Sequence, residues 1–532
     1  MNKPNKIILL ISIALVTVAF ILIAIPNSKA SDNLAMVSVF EPDEGIIRVP
    51  KAMISLKESF KLFVAKFIFY EYYFYGFPFF APSALVLFPV QWAGQIDNTP
   101  LIMLTLRQMI SVLPMMISIL VLVKLQDGFR TYRSIILTLV LIFIPAVVRN
   151  GFWWHPDGLV LLFSTLVIYF LWKDDRHFGW RFLLAAALCG LLTATKLVGV
   201  YFFLAVGMTL IWGLIEKKLT WKKAVWISLL FIVIMIGAFI ISNPFVLSKN
   251  TRIWYFGILK NQSDWLSTGY QIRYEKGLIA SWPTMHEFYG EAIFLLSVIG
   301  VTVWGIIKSN RRFLYALTLA WFIPLTFTLL TFSHFKYQYW IPVAIPLISN
   351  IIWILPEKWK NLRWSRSQWI LRVLLLVIFS FQFILFTSQS IKMIIERSFR
   401  KENSPSIAFY DQAVEVLAPV FPNNIHIYYD YRLYVPETEG WTKDTYFELL
   451  NYQYIEENDF QILLLLEQRI LDYLNPNAVG NEPESYALGQ AFYRDADNGT
   501  IKGYHLLYRD ETALIYVQDS ICLEYFEPSM CQ

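Results

Sequence analysis

Charge is scarce in this chain. Asp, Glu, Lys and Arg make up 16% of its 532 residues, where a soluble domain carries about 25%. Hydrophobic types reach 56%, and the mean hydropathy is +0.48. These values exclude a surface that mostly faces water. Cysteine is rarer still, at three residues. Cys189 lies inside an apolar run and reads as a small packed side chain. Cys522 and Cys531 stand near the end of the chain, and they could pair if that end is extracytoplasmic. Neither a cofactor nor a divalent metal is indicated by the residues.

The apolar residues are gathered into runs near 7–25, 101–123, 134–148, 158–172, 181–195, 197–215, 224–242, 291–307, 313–331, 340–355 and 369–389. A spanning helix needs roughly 20 apolar residues, so these runs predict an α-helical polytopic membrane protein of about eleven spans. A further run, 76–94, is rich in Pro and aromatics and is expected to lie in, or re-enter from, the outer interface. Residues 390–532 hold 23 acidic and 10 basic side chains, net −13, which leaves +18 for the remainder. That basic excess sits in short loops between apolar runs, so nucleic acid is set aside as a partner.

Loop charges give the orientation. Lys3 and Lys6 precede the first run, and basic residues crowd 124–133, 173–181, 217–223, 308–312 and 358–372. All of these loops lie inside if the amino terminus is cytoplasmic and one span separates Asp43 from Lys124. Asp43 and the acidic tail are then extracytoplasmic. A rival topology, with 76–94 as a full span, would move Asp43 to the cytoplasm. The expected division is a membrane domain over 1–390, with a first outer loop at 26–100, and a soluble α/β domain over 391–532.

Chemistry-bearing residues collect in the outer loops. Phe40-Glu41-Pro42-Asp43-Glu44-Gly45 follows the first span, and Pro42 and Gly45 suit a tight turn that projects two acids. Pro50 to Tyr70 is amphipathic at helical spacing and reads as a helix on the interface. Asp43 and Glu44 could instead merely cap that helix. The second outer loop, Arg149 to Gly158, packs Trp153, Trp154, His155 and Asp157 into one turn, where His155 or Asp157 could likewise be only a cap. Lys196 has no charged neighbour in sequence and must either snorkel or meet an anion. Arg107, inside the second span, raises the same question. His334, Lys336 and Tyr337 crowd the last outer turn. Cations placed at a phosphate leaving group, with a carboxylate on the opposite side as base, are what transfer from a lipid-phosphate sugar needs.

Several of these features occur together in one family: Pro42-Asp43-Glu44 after the first span, the interfacial helix, and Tyr75-Gly76-Phe77-Pro78 entering a Pro/aromatic segment. The Arg107 segment, Pro156-Asp157 and the Gly190 to Gly199 turn belong to the same pattern. Over 7–390 the chain resembles the GT-C membrane glycosyltransferases, and within them glycosyltransferase family 39, which includes protein O-mannosyltransferases and lipid A aminoarabinose transferases. The resemblance implies a polyprenyl-phosphate sugar donor, inverting transfer on the extracytoplasmic face, and a lipid, glycan or protein acceptor. It implies Asp43 as base supported by Glu44, Asp157 orienting a substrate, and Arg107 and Lys196 on phosphate. Many relatives carry Lys or His before paired prolines at the interfacial entry, and Phe77-Pro78-Phe79-Phe80-Ala81-Pro82 has neither. Arg149 or Lys336 would then share the phosphate with Lys196, and His155, His334 and Tyr337 are the remaining substrate-binding candidates.

Two other classes use similar substrates. A transporter or flippase would place ionisable groups near mid-membrane and show internal repeats, and the sequence shows no repeat. A surface-polysaccharide polymerase or ligase would carry one large late outer loop, whereas 244–290 is only moderately long. In the tail, Ile407–Val420 predicts a helix. Ile425–Tyr429, Phe460–Leu466, and Tyr504–Tyr508 with Ala513–Val517 predict strands.

Overall fold

A computed structural model describes residues 4–55, 59–356, 366–421 and 423–531. The chain forms two compact units: 1–28, 47–263 and 276–398 in the first, and 29–46, 264–275 and 399–532 in the second.

In the first unit, all eleven apolar runs fold as helices. They comprise α1 (Lys6–Asn27), then, after α2 (Leu34–Phe40) of the second unit, α3 (Arg48–Ile54), α4 (Phe60–Ile68), α5 (Phe77–Trp92) and α6 (Thr99–Leu106). A π-helical stretch, Arg107–Val112, carries α6 into α7 (Leu113–Gln126). Next come α8 (Arg133–Ile142), α9 (Pro145–Asn150), α10 (Asp157–Asp174), α11 (Trp180–Lys196), α12 (Phe203–Ile215) and α13 (Trp221–Ser242). The series closes with α14 (Lys249–Thr268), α15 (Leu278–Tyr289), α16 (Ala292–Lys308), α17 (Arg312–Leu330), α18 (Tyr337–Ile348) and α19 (Arg366–Ser398).

Among the described residues, six helices are long and apolar enough to cross a membrane, and α15 with α16, bent by 83°, makes a seventh. The chain is an integral membrane protein. Four runs fall short for visible reasons, the 181–195 run because α11 is only 17 residues long. Pro145 restarts the 134–148 run as α9, α10 carries Asp157, Lys173 and Asp174 at its ends, and α18 passes into a 3-10 turn at Ser349. The 76–94 run is the 16-residue helix α5, with Pro82 and Pro89 inside it.

The expected interfacial helix over 50–70 is instead two helices, α3 and α4, with Leu56 and Glu58 of its pattern outside the described residues. Ser59 starts the second by accepting a hydrogen bond from the Leu62 amide at 3.2 Å. Much of the basic 358–372 loop also lies outside the described residues. Small side chains set the tightest packing. A Cβ on Gly190 of α11 would stand 2.2 Å from the Met235 carbonyl oxygen of α13, so only glycine allows that approach. Cys189 beside it is fully buried.

The second unit is built on a five-stranded sheet in the order β2-β1-β3-β5-β4. Its strands are β1 (Ile425–Tyr429), β2 (Trp441–Asp444), β3 (Ile462–Leu466), β4 (Tyr504–Arg509) and β5 (Ala513–Gln518). β1 runs parallel to β2 and β3, while β5 is antiparallel to β3 and β4. Ile462 and Leu464 enter the core on one face of the sheet, and Leu463 and Leu465 the core on the other. Burial on both faces explains why β3 reads as an unbroken apolar run. Helices α20 (Pro405–Val416), α21 (Tyr452–Asn458), α22 (Glu467–Leu474), α23 (Pro483–Asn498) and α24 (Asp519–Tyr525) accompany the sheet.

The expected boundary at 390 moves because α19 runs unbroken to Ser398. The loop after α14 also joins this unit. Ile272 bridges Gly480, and the Arg273 amide donates to the Val479 carbonyl at 2.8 Å. Cys522 and Cys531 form a disulfide. Closing so short a loop restricts the unfolded chain, so Cys522→Ser with Cys531→Ser is expected to cost about 2–3 kcal/mol. A urea titration followed by protease release of the tail reads this directly, and an unchanged midpoint would contradict it.

Candidate active site

Asp157 opens α10 and is buried, at 1% side-chain exposure. Its Oδ1 accepts from Lys196 Nζ at 2.7 Å, and its Oδ2 meets His155 Nδ1. The helix cap is Pro156, which makes no side-chain capping bond, so Asp157 serves these two partners and is not a cap. His155 Nε2 shares a 2.8 Å hydrogen bond with the Tyr75 hydroxyl. With Nδ1 donating to Asp157, Nε2 accepts from Tyr75, and one tautomer satisfies the line Tyr75–His155–Asp157–Lys196.

Each member is held by its neighbourhood. The His155 ring stacks on Trp153 at 4.2 Å between centroids. Trp154 donates its indole N–H to Ser83 Oγ at 2.9 Å and stacks on Phe79. The π-helical stretch places Ser111 so that its hydroxyl accepts from the His155 amide at 3.2 Å. A Cβ on Gly158 would lie 2.5 Å from the Ser111 carbonyl oxygen, so glycine is required where α10 meets that stretch. Such π-bulges inside α-helices recur at functional sites.

Lys196 ends α11, where the helix dipole favours a cation. Its ammonium lies 4.2 Å over the Tyr339 ring. The sequence left two readings for Lys196, and the structure selects the anion: it is the carboxylate of Asp157. The turn that enters α5 docks beside it. Asn243 Oδ1 accepts from the Phe77 amide at 2.9 Å, and Asn243 Nδ2 donates to the Ala194 carbonyl at 3.2 Å. A Cβ on Gly76 would stand 1.7 Å from that same carbonyl oxygen. The Tyr75-Gly76 turn, the end of α11 and the end of α13 therefore meet at one place.

Other expected site residues stand elsewhere in the first unit. Arg107 is fully buried and donates from Nη1 to the Asn27 carbonyl at 3.1 Å, closing the end of α1. Arg149 is half-buried in the last turn of α9. Lys336 precedes α18, and Tyr337 begins it with its ring stacked on Phe288 at 4.3 Å. His334 is half-buried, and burial, reinforced by Lys336, pushes its pKa down to about 4. It is therefore a neutral hydrogen-bonding group at physiological pH.

Asp43 and Glu44 belong to the second unit. They lie in a 3-10 helix, Pro42–Ile47, and α3 after it has no side-chain cap, so neither acid serves that purpose. Glu44 is fully buried and Asp43 half-buried. The turn is anchored within its unit by Glu41, whose carboxylate pairs with Arg400 at 2.8 Å. The Arg400 guanidinium also donates to the Phe40 carbonyl and lies 4.5 Å over the Phe40 ring.

No protein-family model and no curated protein matches the sequence. Among solved structures, the apo oligosaccharyltransferase of Archaeoglobus fulgidus aligns at TM-score 0.50 and 10% identity, covering 94% of this chain and 80% of that one. The same enzyme tethered to an acceptor peptide containing the NVT sequon aligns at TM-score 0.47 and 10% identity, covering 95% and 74%. ArnT from Cupriavidus metallidurans, bound to undecaprenyl phosphate, aligns at TM-score 0.46 and 12% identity, covering 95% and 97%. The fold is GT-C.

Within the first unit, reachable charge at the α10–α11 end is positive. The Lys196 side chain is 19% exposed, against 1% for Asp157. The arrangement can present a fixed cation to an anion, with Asp157 beneath it as the residue that positions it. Sequence reasoning missed Tyr75, Ser111, Asn243 and Tyr339 as members of this group. Tyr75 opens the Tyr75-Gly76-Phe77-Pro78 motif, and Asn243 stands out only as a polar residue ending the 224–242 apolar run.

Breaking a buried pair by removing one partner strands a charge. Asp157→Asn is expected to lower stability by about 3–5 kcal/mol, with partial recovery in Asp157→Asn combined with Lys196→Met. Thermal unfolding of the detergent-solubilised protein gives the coupling. Gly76→Ala, which must push on backbone, is expected to cost about 1–3 kcal/mol. Gly207→Ala, where nothing lies within 4 Å of the new methyl, serves as the control and should not destabilise.

Proposed function

We propose that this chain is a membrane glycosyltransferase that moves a sugar from a polyprenyl-phosphate carrier to an acceptor hydroxyl, with inversion, on the extracytoplasmic face. The observation that carries the reading is Lys196, held at the end of α11 by Asp157, His155 and the Tyr339 ring. A sugar leaving phosphate builds negative charge on the leaving oxygens, and a preorganised cation in a water-poor site stabilises it. Lys196 is the phosphate-binding residue in this proposal, and Asp157 is a positioning residue. Arg149 and Lys336 are further phosphate contacts, and His155, His334 and Tyr337 contacts to substrate. Arg107, committed to the Asn27 carbonyl, acts through the packing of α1.

Asp43 is the proposed general base and Glu44 its support. Of the adjacent acids, Asp43 has the greater exposure, which suits a group that must take a proton from an incoming hydroxyl. The fold shared with the archaeal oligosaccharyltransferase supports glycosyl transfer as the reaction class. The Cys522–Cys531 disulfide suits an oxidising compartment, and it supports an extracytoplasmic tail with a cytoplasmic amino terminus. The acceptor is a lipid, a glycan or a protein hydroxyl.

Membranes containing the protein should consume a polyprenyl-monophosphate sugar and yield a product of opposite anomeric configuration. Asp43→Asn should lower turnover by about 10²–10⁴-fold while membrane insertion is preserved. Full turnover in that variant would remove Asp43 from the mechanism, and retained configuration would refute inversion. Lys196→Gln should weaken donor use with Asp43 intact, and unchanged donor kinetics would remove Lys196 from the phosphate site.

A further inference from the structure

A cavity of about 640 Å³ opens at the other end of α10 from Asp157. Its walls include Tyr169, Trp172, Lys173, Trp180 and Arg181. Lys173 lies in the last turn of α10, roughly 24 Å along the axis from Asp157 at the usual helical rise. That distance approaches the thickness of a bilayer core, and it sets the cavity and the Asp157–Lys196 cluster at opposite ends of the helix. Exposed Trp180 and half-buried Trp172 are the aromatic types that settle at a membrane surface.

Cations converge there. Lys173 Nζ lies 5.0 Å from the Trp172 ring and 6.0 Å from Tyr169, and Lys124 approaches the same Tyr169 ring at 5.3 Å. Arg181 lies 5.4 Å over the Trp180 ring and donates to the Lys173 carbonyl at 2.9 Å. Arg130 and Arg311 are near enough to act on Lys173 as like charges. Among the described residues, the one acid lining the cavity, Asp175, is engaged by Arg176 and Lys218. Asp174 beside it accepts from the Phe178 and Gly179 amides. A ring of cations set on aromatic walls, with the nearby acids occupied, leaves a positive field that an anion would relieve.

We propose that this cavity holds the phosphate headgroup of an anionic glycerophospholipid. The aromatic walls face the glycerol and upper acyl region, and Lys124, Lys173 and Arg181 face the phosphate. The site is separate from the transfer chemistry and stands whether or not the chain moves a sugar.

The test uses the full-length protein in nanodiscs of phosphatidylglycerol mixed with phosphatidylcholine, with retained lipid counted by native mass spectrometry. Phosphatidylglycerol should be retained in preference to phosphatidylcholine. The preference should fall about five-fold for each cation removed in Lys124→Gln, Lys173→Gln and Arg181→Gln, while Lys173→Arg keeps it. Equal retention of the two lipids by the wild-type protein would overturn the proposal without recourse to any variant. Undiminished preference in a folded triple variant would overturn it too. So would displacement of the retained lipid by inorganic phosphate at equal concentration, which would make the ligand a soluble anion.

Discussion

The ion pair between Asp157 and Lys196 is the constraint on which the first unit's functional end depends. Each charge alone would be costly where it lies, because Asp157 is fully enclosed and Lys196 stands between two apolar helices. Together they hold α10 to α11, and the remaining contacts follow from that alignment. His155 takes the second carboxylate oxygen, Tyr75 takes the far nitrogen of His155, and Gly76 can then lie against the end of α11. The desolvation that makes the pair weak as a source of stability makes it strict as a device for placement. A cation whose position is set by a buried counter-charge loses little in reorganising when an anion arrives.

The second unit uses the same device on its own core. Asp430, just after β1, is fully buried and pairs with Arg469, while its other oxygen accepts from the Leu466 amide at 2.7 Å. Burial works against the charge on Arg469, and the Asp430 carboxylate overcomes it and holds the guanidinium well above its usual range. Tyr428 donates to the same carboxylate at 2.9 Å, and burial followed by the charge of Asp430 pushes its phenol up. Arg469 extends the network to the Glu448 carbonyl. Every polar atom named here has a partner, the condition under which a buried network specifies one packing.

Local pattern made much of this architecture legible. The apolar runs became helices because length and hydropathy act within one segment. β3 was legible because a strand buried on both faces must be apolar throughout. The hairpin of β4 and β5, turning at residues 509–512, followed from two short runs around a polar turn. What was hidden depends on contacts between segments far apart in sequence. Lys196 and Asp157 were each visible as anomalies, but their union requires the packing of α11 on α10. Tyr75 and Asn243 carry no local signal of the bonds they make. Glu41 looked like one more loop acid, because its partner Arg400 lies in the last third of the chain. The split of the amphipathic 50–70 stretch into α3 and α4 was hidden for the opposite reason: helical spacing persists in the sequence past Ser55 and Ser59, which cap the two helices.

The second unit is assembled from three stretches of chain: 29–46, 264–275 and 399–532. Asn33 reaches the Tyr434 hydroxyl at 2.9 Å, and Gln271 receives a hydrogen bond from Tyr473 at 2.7 Å. During synthesis the first stretch must therefore wait for nearly the entire chain before its partners exist. Contacts of such long sequence separation form slowly, because loop closure precedes any gain from burial. The turn that carries Asp43 is anchored through Glu41 by Arg400, made 359 residues later, so a ribosome that stops between them leaves an acid-bearing turn without its anchor.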